Sequence, residues 1–358
     1  MSATFFGQWR SLLWFTGLCF LWSCQSTTNT GWAESYVEIR GETMGTYYQL
    51  NYRDTARRNL TAEIDTLLLR LNQEVSTYIP SSTISVFNQS ASGIPIQFNP
   101  FGESHPHDNL HLIKNLQASK DISARTDGAF DPTVMPLVNY WGFGYTEKRP
   151  VTQVDSSRID SLMQFVGVEK VRLAGDSLRK GSAGVQLDFS AIAKGYGVDL
   201  IGQYLSEQGI ADYYVEIGGE VRTQGQSPRQ DAWRVGISDP REEAGLQDIQ
   251  TSVPLVDQAL ATSGNYRNVY EVDGQKFSHT INPRTGFPER SRLLSASVFA
   301  PDCMTADAYA TACMVAGADR ALEFAQENDQ IEVYLIVGTE SGDMEVRYSM
   351  GLQQFFQQ

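Results

Sequence analysis

The sequence predicts a mixed α+β fold, and three observations predict it. Two segments, 60–75 and 110–123, carry apolar residues at helical spacing. Strand-like segments cluster between positions 212 and 298 and are joined by short Gly-containing turns of hairpin type. Helices and strands do not alternate in the strict βαβ order that a parallel sheet requires. A length of 358 residues suits one large domain or two closely joined ones. With 41% hydrophobic and 20% charged residues the chain is an ordinary globular protein, and a net charge of −14 excludes nucleic acid as a partner.

The N-terminal residues stand outside that fold. Arg10 is the only charge before the apolar run Leu12-Leu-Trp-Phe-Thr-Gly-Leu-Cys-Phe-Leu-Trp22, which is too short to span a bilayer and has the proportions of a signal-peptide core. Leu21-Trp-Ser-Cys24 resembles the bacterial lipobox, with Trp22 a bulky departure from it, so Cys24 is the expected lipidation site. A plain secretory signal or an uncleaved anchor is the alternative. Residues 25–30 are rich in Ser, Thr and Asn and read as a flexible spacer. The expected division is a signal over 1–23, a tether over 24–35 and the folded domain over 36–350. Of the four cysteines, Cys19 and Cys24 belong to the signal region. Cys303 and Cys313 lie in or beside an apolar helix, outside any CxxC pattern, and read as buried free thiols.

Two strands around a Gly-containing break are predicted over 36–52. Residues 60–75 form an amphipathic helix on the spacing of Leu60, Ile64, Leu67, Leu68, Leu71 and Val75. Residues 76–82 and 88–108 read as loop, and 110–123 as a second helix. Two prolines in Gly128-Ala-Phe-Asp-Pro-Thr-Val-Met-Pro-Leu-Val138 argue against a regular helix or central strand there, and Trp141-Gly-Phe-Gly144 continues the irregular path. Strands are predicted near Val171 and over 184–187, 212–217, 220–223 and 233–237, with a charged loop over 240–250. Further strands extend from 259 to 298. One long helix, 305–326, and a hairpin of 332–337 with 345–348 close the domain.

The helix after Leu187-Asp-Phe-Ser-Ala-Ile-Ala-Lys-Gly-Tyr-Gly-Val-Asp199 is read from Ile192, Gly195/Tyr196, Val198, Ile201 and Leu205, with Ser190 as N-cap and Gly209 as stop. Small residues, an acid and a lysine at a helix N-terminus suit a phosphate; close helix packing explains the small residues equally well. Asp307 and Thr311 are four residues apart and share a helix face, a pair that suits a hard cation such as Mg²⁺, although Asp near a helix start is also favoured by the helix dipole. Gly218-Gly219 permits close approach of a ligand or forms a hairpin turn. His279 offers a group that titrates near neutrality within a turn-rich segment, whereas His105, His107 and His111 read as solvated residues of the polar loop and helix start. Thr262-Ser-Gly264 with Arg267 is a polar turn able to meet phosphate.

Taken in order, eight blocks resemble the ApbE family of FAD:protein FMN transferases: Gly41-Glu-Thr-Met-Gly-Thr46, Gly128-Ala-Phe-Asp-Pro-Thr133, Trp141-Gly-Phe-Gly144, Asp188-Phe-Ser-Ala-Ile-Ala-Lys-Gly195, Glu216-Ile-Gly-Gly-Glu220, Ala261-Thr-Ser-Gly264, His279-Thr-Ile-Asn-Pro-Arg-Thr-Gly286 and Thr305-Ala-Asp-Ala-Tyr-Ala-Thr311. The resemblance implies a T-fold-like α+β domain with a largely antiparallel sheet and packed helices. It implies Mg²⁺-dependent transfer of FMN from FAD to a threonine or serine hydroxyl of a partner protein, with release of AMP. The implied acceptors are flavoprotein subunits of Nqr or Rnf type, and the implied location is the bacterial cell envelope, lipid-anchored to a membrane with the domain in the periplasm. By position, Met44, Tyr78 and Ile281 line the flavin; Ala129, Phe130 and Asp131 contact FAD; Asp188 and Lys194 hold the dinucleotide; and the Ala191 carbonyl, Asp307 and Thr311 bind Mg²⁺. Lys194 then serves as a point charge on the phosphates and His279 as the general base. Two positions depart from the common pattern, Phe189-Ser190-Ala191 in place of Leu-Gly-Gly and Asn282 in place of Asp. Two other activities fit the same residues: an FAD pyrophosphatase giving FMN and AMP, and a non-catalytic periplasmic flavin-binding lipoprotein.

Overall fold

The computed structural model describes residues 30–97, 109–146, 154–241, 248–265, 269–272 and 275–356. Cys19, Cys24, the signal segment, most of the tether, His105, His107 and Arg267 lie outside the described residues. The elements run in the order α1 (Thr30–Glu34), β1 (Tyr36–Thr43), β2 (Thr46–Arg53), α2 (Thr61–Val75), α3 (Thr83–Gln89), β3 (Gly93–Pro95), α4 (Leu110–Arg125), α5 (Met135–Tyr140) and α6 (Ser156–Met163). Then come β4 (Val171–Leu173), β5 (Ser177–Lys180), α7 (Ala193–Glu207), β6 (Tyr213–Ile217), β7 (Glu220–Gln224), β8 (Trp233–Ser238), β9 (Ile249–Leu255) and β10 (Ala259–Gly264). The chain closes through β11 (Val269–Val272), β12 (Gln275–Ser278), β13 (Leu293–Ala300), α8 (Cys303–Ala316), α9 (Ala318–Glu327), β14 (Glu332–Gly338), β15 (Met344–Tyr348) and α10 (Gln353–Phe356).

Eight strands form one sheet in the order β1-β2-β6-β7-β10-β13-β14-β15, and every pairing in it is antiparallel. The α+β class therefore stands. Alternation along each strand divides the sheet's two faces. Ala261, Val298 and Leu335 point into a core shared with α7 and α8, while their neighbours Leu260, Phe299, Tyr334 and Ile336 pack against Val235 and Ile237 of β8 and Val253 and Leu255 of β9. Ile64 and Leu68 of α2 meet Val198, Ile201 and Leu205 of α7 over the β1–β2–β6 end. The β1–β2 connection is a two-residue loop in which Met44 (φ 50°) and Gly45 (φ 72°) both take left-handed backbone, the twist a tight hairpin demands. Thr30–Glu34, at the end of the predicted tether, is helical, and Trp32 lies 4.0 Å under the Arg53 guanidinium.

Five local expectations give way to the structure. The helix predicted from Ser190 starts at Ala193, because the Ser190 amide and hydroxyl bond to the Asp188 carboxylate instead of capping α7. Residues 184–187 join no strand; the strand in this region is β5, one turn earlier. The two-proline segment does form a helix, α5, since Pro136 falls in its first turn, where no amide is needed. The long C-terminal helix is two helices, broken at Gly317, whose φ of 83° is left-handed. The loop expected over 88–108 begins with the end of α3 and contains β3.

Candidate functional site

Helices α7 and α8 cross where Gly195 has no side chain. A Cβ at that position would stand 2.2 Å from the Cys303 carbonyl oxygen and 2.9 Å from Asp307 Cβ, so only glycine allows this approach. The close packing brings Asp307 to the start of α7. Its Oδ2 accepts the Gly195 amide at 3.0 Å, and its Oδ1 lies 3.6 Å from Lys194 Nζ. The Gly195 amide turns to Asp307 and not to the Ala191 carbonyl four residues back, and no donor among the described residues takes up that carbonyl.

Lys194 donates to Glu220 Oε1 at 2.8 Å. Gly218-Gly219 forms the β6–β7 hairpin turn and sets Glu220 as the first residue of β7. Burial opposes the charge on Lys194, but Asp307 and Glu220 outweigh it and hold the ammonium above its ordinary range. Burial raises the Glu220 carboxyl against the pull of Lys194, and its Oε2 has no hydrogen-bond partner. Two carboxyl groups thus face one ammonium. Thr311, one turn along α8, has its hydroxyl 3.3 Å from that of Ser263. Asp307, Thr311 and Ser263 are oxygen donors of the kind a hard divalent cation takes, and the Ala191 carbonyl at the mouth of α7 is a further oxygen.

Asp199, one turn beyond Gly195, fixes the start of α8. Its carboxylate accepts the Cys303 amide at 2.9 Å, the Met304 amide at 2.8 Å and Arg222 at 2.7 Å. Burial and then the nearby Asp302 push its carboxyl up to about 6. Asp302 is itself the α8 N-cap, accepting from the Thr305 amide.

Asp188 precedes α7, and Pro132 accepts its amide at 2.7 Å, which sets it beside the Gly128–Thr133 block. Tyr78 is 70% exposed and feels the Asp188 charge, so these two predicted residues are neighbours. Met44 reaches α7, its Cε 3.5 Å from where a Gly197 Cβ would lie. Ala129 and Phe130 are buried in the same core that Ala191 packs against. The Asp131 carboxylate is engaged within the protein: it accepts from Thr133 N at 2.8 Å, Thr133 Oγ1 at 2.5 Å and Val168 N at 3.0 Å. That turn is braced on two sides. Arg284 donates to the carbonyls of Asp127 and Thr126, and Arg320 pairs with the Asp127 carboxylate.

His279 and Ile281 form a second group. The His279 ring stands 6.3 Å from that of Phe143, and Ile281 packs with Leu137 and Trp141, whose indole N–H donates to the Gly286 carbonyl. Asn282 donates to Glu289 and accepts from the Arg284 amide, a turn-holding role. Sequence reasoning named no role for Glu220, Asp199, Asn88 or Lys180. Glu220 stood inside a quoted block, and Asp199 sits four residues from Gly195 on the same helix face, the one signal available for either.

His111, read as solvated, is instead half-buried on α4 with its Nδ1 2.9 Å from the Tyr196 hydroxyl of α7. Burial, then the positive charges of Lys114 and Arg70, push its pKa from 6.5 down to about 4. A histidine held neutral in the fold takes up a proton more readily once unfolded, so stability is lost as pH falls from about 6.5 toward about 4. The shift corresponds to about 3 kcal/mol. Unfolding midpoints in urea across that window are expected to fall for the wild type and to flatten for His111→Gln.

A family model described as the ApbE family matches residues 44–335. The chain is 39% identical over 310 residues to an FAD:protein FMN transferase of Vibrio cholerae, covering 86% of this chain and 89% of that one. It is 34% identical over 318 residues to an FAD:protein FMN transferase of Escherichia coli K12, covering 87% and 86%. Among solved structures, the flavin transferase ApbE from Vibrio cholerae superposes with a TM-score of 0.78 at 36% identity, covering 89% of this chain and 98% of that one. The apo flavinyl transferase ApbE from Pseudomonas stutzeri gives 0.77 at 31%, covering 90% and 96%.

Proposed function

This chain belongs to the ApbE family, and from that premise we propose that it transfers FMN from FAD to a threonine or serine hydroxyl of a partner protein and releases AMP. The observation that carries the reading is the half-buried Lys194 held between Asp307 and Glu220 at the α7–α8 crossing. In the reaction the acceptor oxygen attacks the FMN phosphorus of FAD. A new P–O bond forms, the bond from that phosphorus to the bridging oxygen breaks, and AMP leaves.

The residues at this site fit Mg²⁺: the donors are all oxygen, and beside them the buried Glu220 Oε2 has no hydrogen-bond partner. Asp307, Thr311 and the Ala191 carbonyl would hold the ion, which when bound supplies charge neutralisation at the pyrophosphate. Lys194 brings a second positive charge to the same phosphates, already fixed by its two carboxylate partners, so little reorganisation remains for the reaction step. Asp188 holds the dinucleotide, and Met44, Tyr78 and Ile281 offer contact to the flavin. His279 takes the acceptor hydroxyl proton at a ring nitrogen. Cys24, in its lipobox-like setting, supports anchoring at a membrane with the domain in the periplasm. The acceptors proposed are flavoprotein subunits of Nqr or Rnf type.

Incubation with FAD, Mg²⁺ and a threonine-bearing acceptor tests the proposal. Covalent flavin fluorescence on the acceptor, matched by AMP release, is the expected result. Free FMN with an unlabelled acceptor would make the protein a pyrophosphatase, and retained FAD with no AMP a flavin-binding protein.

A further inference from the structure

The segment 183–188, which carries Asp188, has no strand partner, yet Val185 and Leu187 are buried. Buried main-chain groups need hydrogen bonds, and here two side chains supply them. Asn88, 3% exposed at the end of α3, brackets Leu187: its Nδ2 donates to the Leu187 carbonyl at 2.8 Å and its Oδ1 accepts the Leu187 amide at 2.7 Å. Lys180, 7% exposed, donates from Nζ to the carbonyls of Asn88 at 3.0 Å, Val185 at 2.9 Å and Ala183 at 3.3 Å. All three ammonium protons are thereby used, and the Phe87 ring lies 5.1 Å away.

Burying an ammonium without a carboxylate is costly, and no acidic side chain perturbs this one. The cost is tolerated where three carbonyls from two segments converge and a hydrocarbon side chain would leave them unsatisfied. The two residues are also joined to each other, since the Asn88 carbonyl is one of the three acceptors. The next residue after the bracketed Leu187 is Asp188, whose amide is fixed by Pro132.

We propose that Asn88 and Lys180 form a positioning clamp, standing in for a missing strand, that sets where Asp188 meets the flavin dinucleotide. Both act through the backbone of 183–187 and touch no substrate. The inference rests on the reading of Asp188 as an FAD contact.

A double-mutant cycle on the full chain tests it, with FAD as the probe and flavin fluorescence as the readout of its dissociation constant. Asp188→Ala alone and Lys180→Met alone are each expected to weaken FAD binding about tenfold. Lys180→Met added to Asp188→Ala is expected to cause no further loss, because the clamp acts only through Asp188. Equal losses from Lys180→Met in both backgrounds would overturn the clamp while leaving the Asp188 assignment intact. Unchanged binding by Asp188→Ala would remove that assignment and the clamp with it. If Lys180→Met does not fold, Asn88→Ala, which removes both bonds to Leu187, enters the same cycle. Failure of both to fold would make the pair a stability element alone and overturn the proposal.

Discussion

Asp307→Ala is expected to lower FMN transfer by at least about a hundredfold at millimolar Mg²⁺, measured as covalent flavin fluorescence on the acceptor. The carboxylate has three uses in one place. It accepts the Gly195 amide, it balances Lys194, and it heads the oxygen set offered to a cation. Alanine removes all three and leaves Glu220 as the sole carboxylate partner of a half-buried ammonium. Asp307→Asn separates fold from charge. It retains an acceptor for the Gly195 amide and is expected to melt close to the wild type, but to remain deficient in transfer and in Mg²⁺ dependence. Near wild-type flavinylation by the alanine variant would remove the metal assignment.

Gly195→Ala is expected to be nearly as damaging although it adds a single methyl group. The new carbon would lie 2.2 Å from the Cys303 carbonyl oxygen and 2.6 Å from its carbonyl carbon. Those are main-chain atoms at the first residue of α8, held by Asp199 through two amides, so no side-chain rotation relieves the clash. Overpacking of this kind costs about 1–3 kcal/mol, and α8 must move, carrying Asp307 away from Lys194. A displacement of about 1 Å in a positioned group lowers a rate about a hundredfold. Both a lower melting temperature and a fall in transfer rate are expected. Gly197→Ala is the control: its nearest neighbours are the Ile217 Cδ1 at 3.1 Å and the Leu71 Cδ2 at 3.3 Å, ends of flexible side chains that yield. Equal loss of activity in the two variants would argue against a specific role for the crossing.

What could be read ahead of the structure follows the range of the interactions. The helix over 60–75 and the 36–52 hairpin rest on spacing and turn chemistry within a few residues, and both form as predicted. The Asp307–Thr311 pair was legible for the same reason, since one helical turn separates them. The reading of 184–187 as a strand failed because its main-chain bonds go to Asn88, 99 residues away in sequence. Ser190 was misplaced because a nearer acceptor, Asp188, competes for it. The break at Gly317 was hidden because the helix-forming residues resume at once on its far side. Glu220 and Asp199 acquire their roles from Lys194 and from the Cys303 amide, 26 and 104 residues distant, and nothing local announces either partner.

The bracing of the turn at 126–131 bears on the thermodynamics of flavin capture. Arg284 grips two of its carbonyls from the His279–Gly286 segment, and Arg320 reaches it from α9. If Ala129–Asp131 contact FAD as proposed, loop ordering that would otherwise accompany ligand association is completed when the chain folds, and the entropy loss on FAD binding is confined more nearly to the ligand itself. Loosening either arginine would return that loss to the binding step, seen as a less favourable binding entropy with little change in the contacts made.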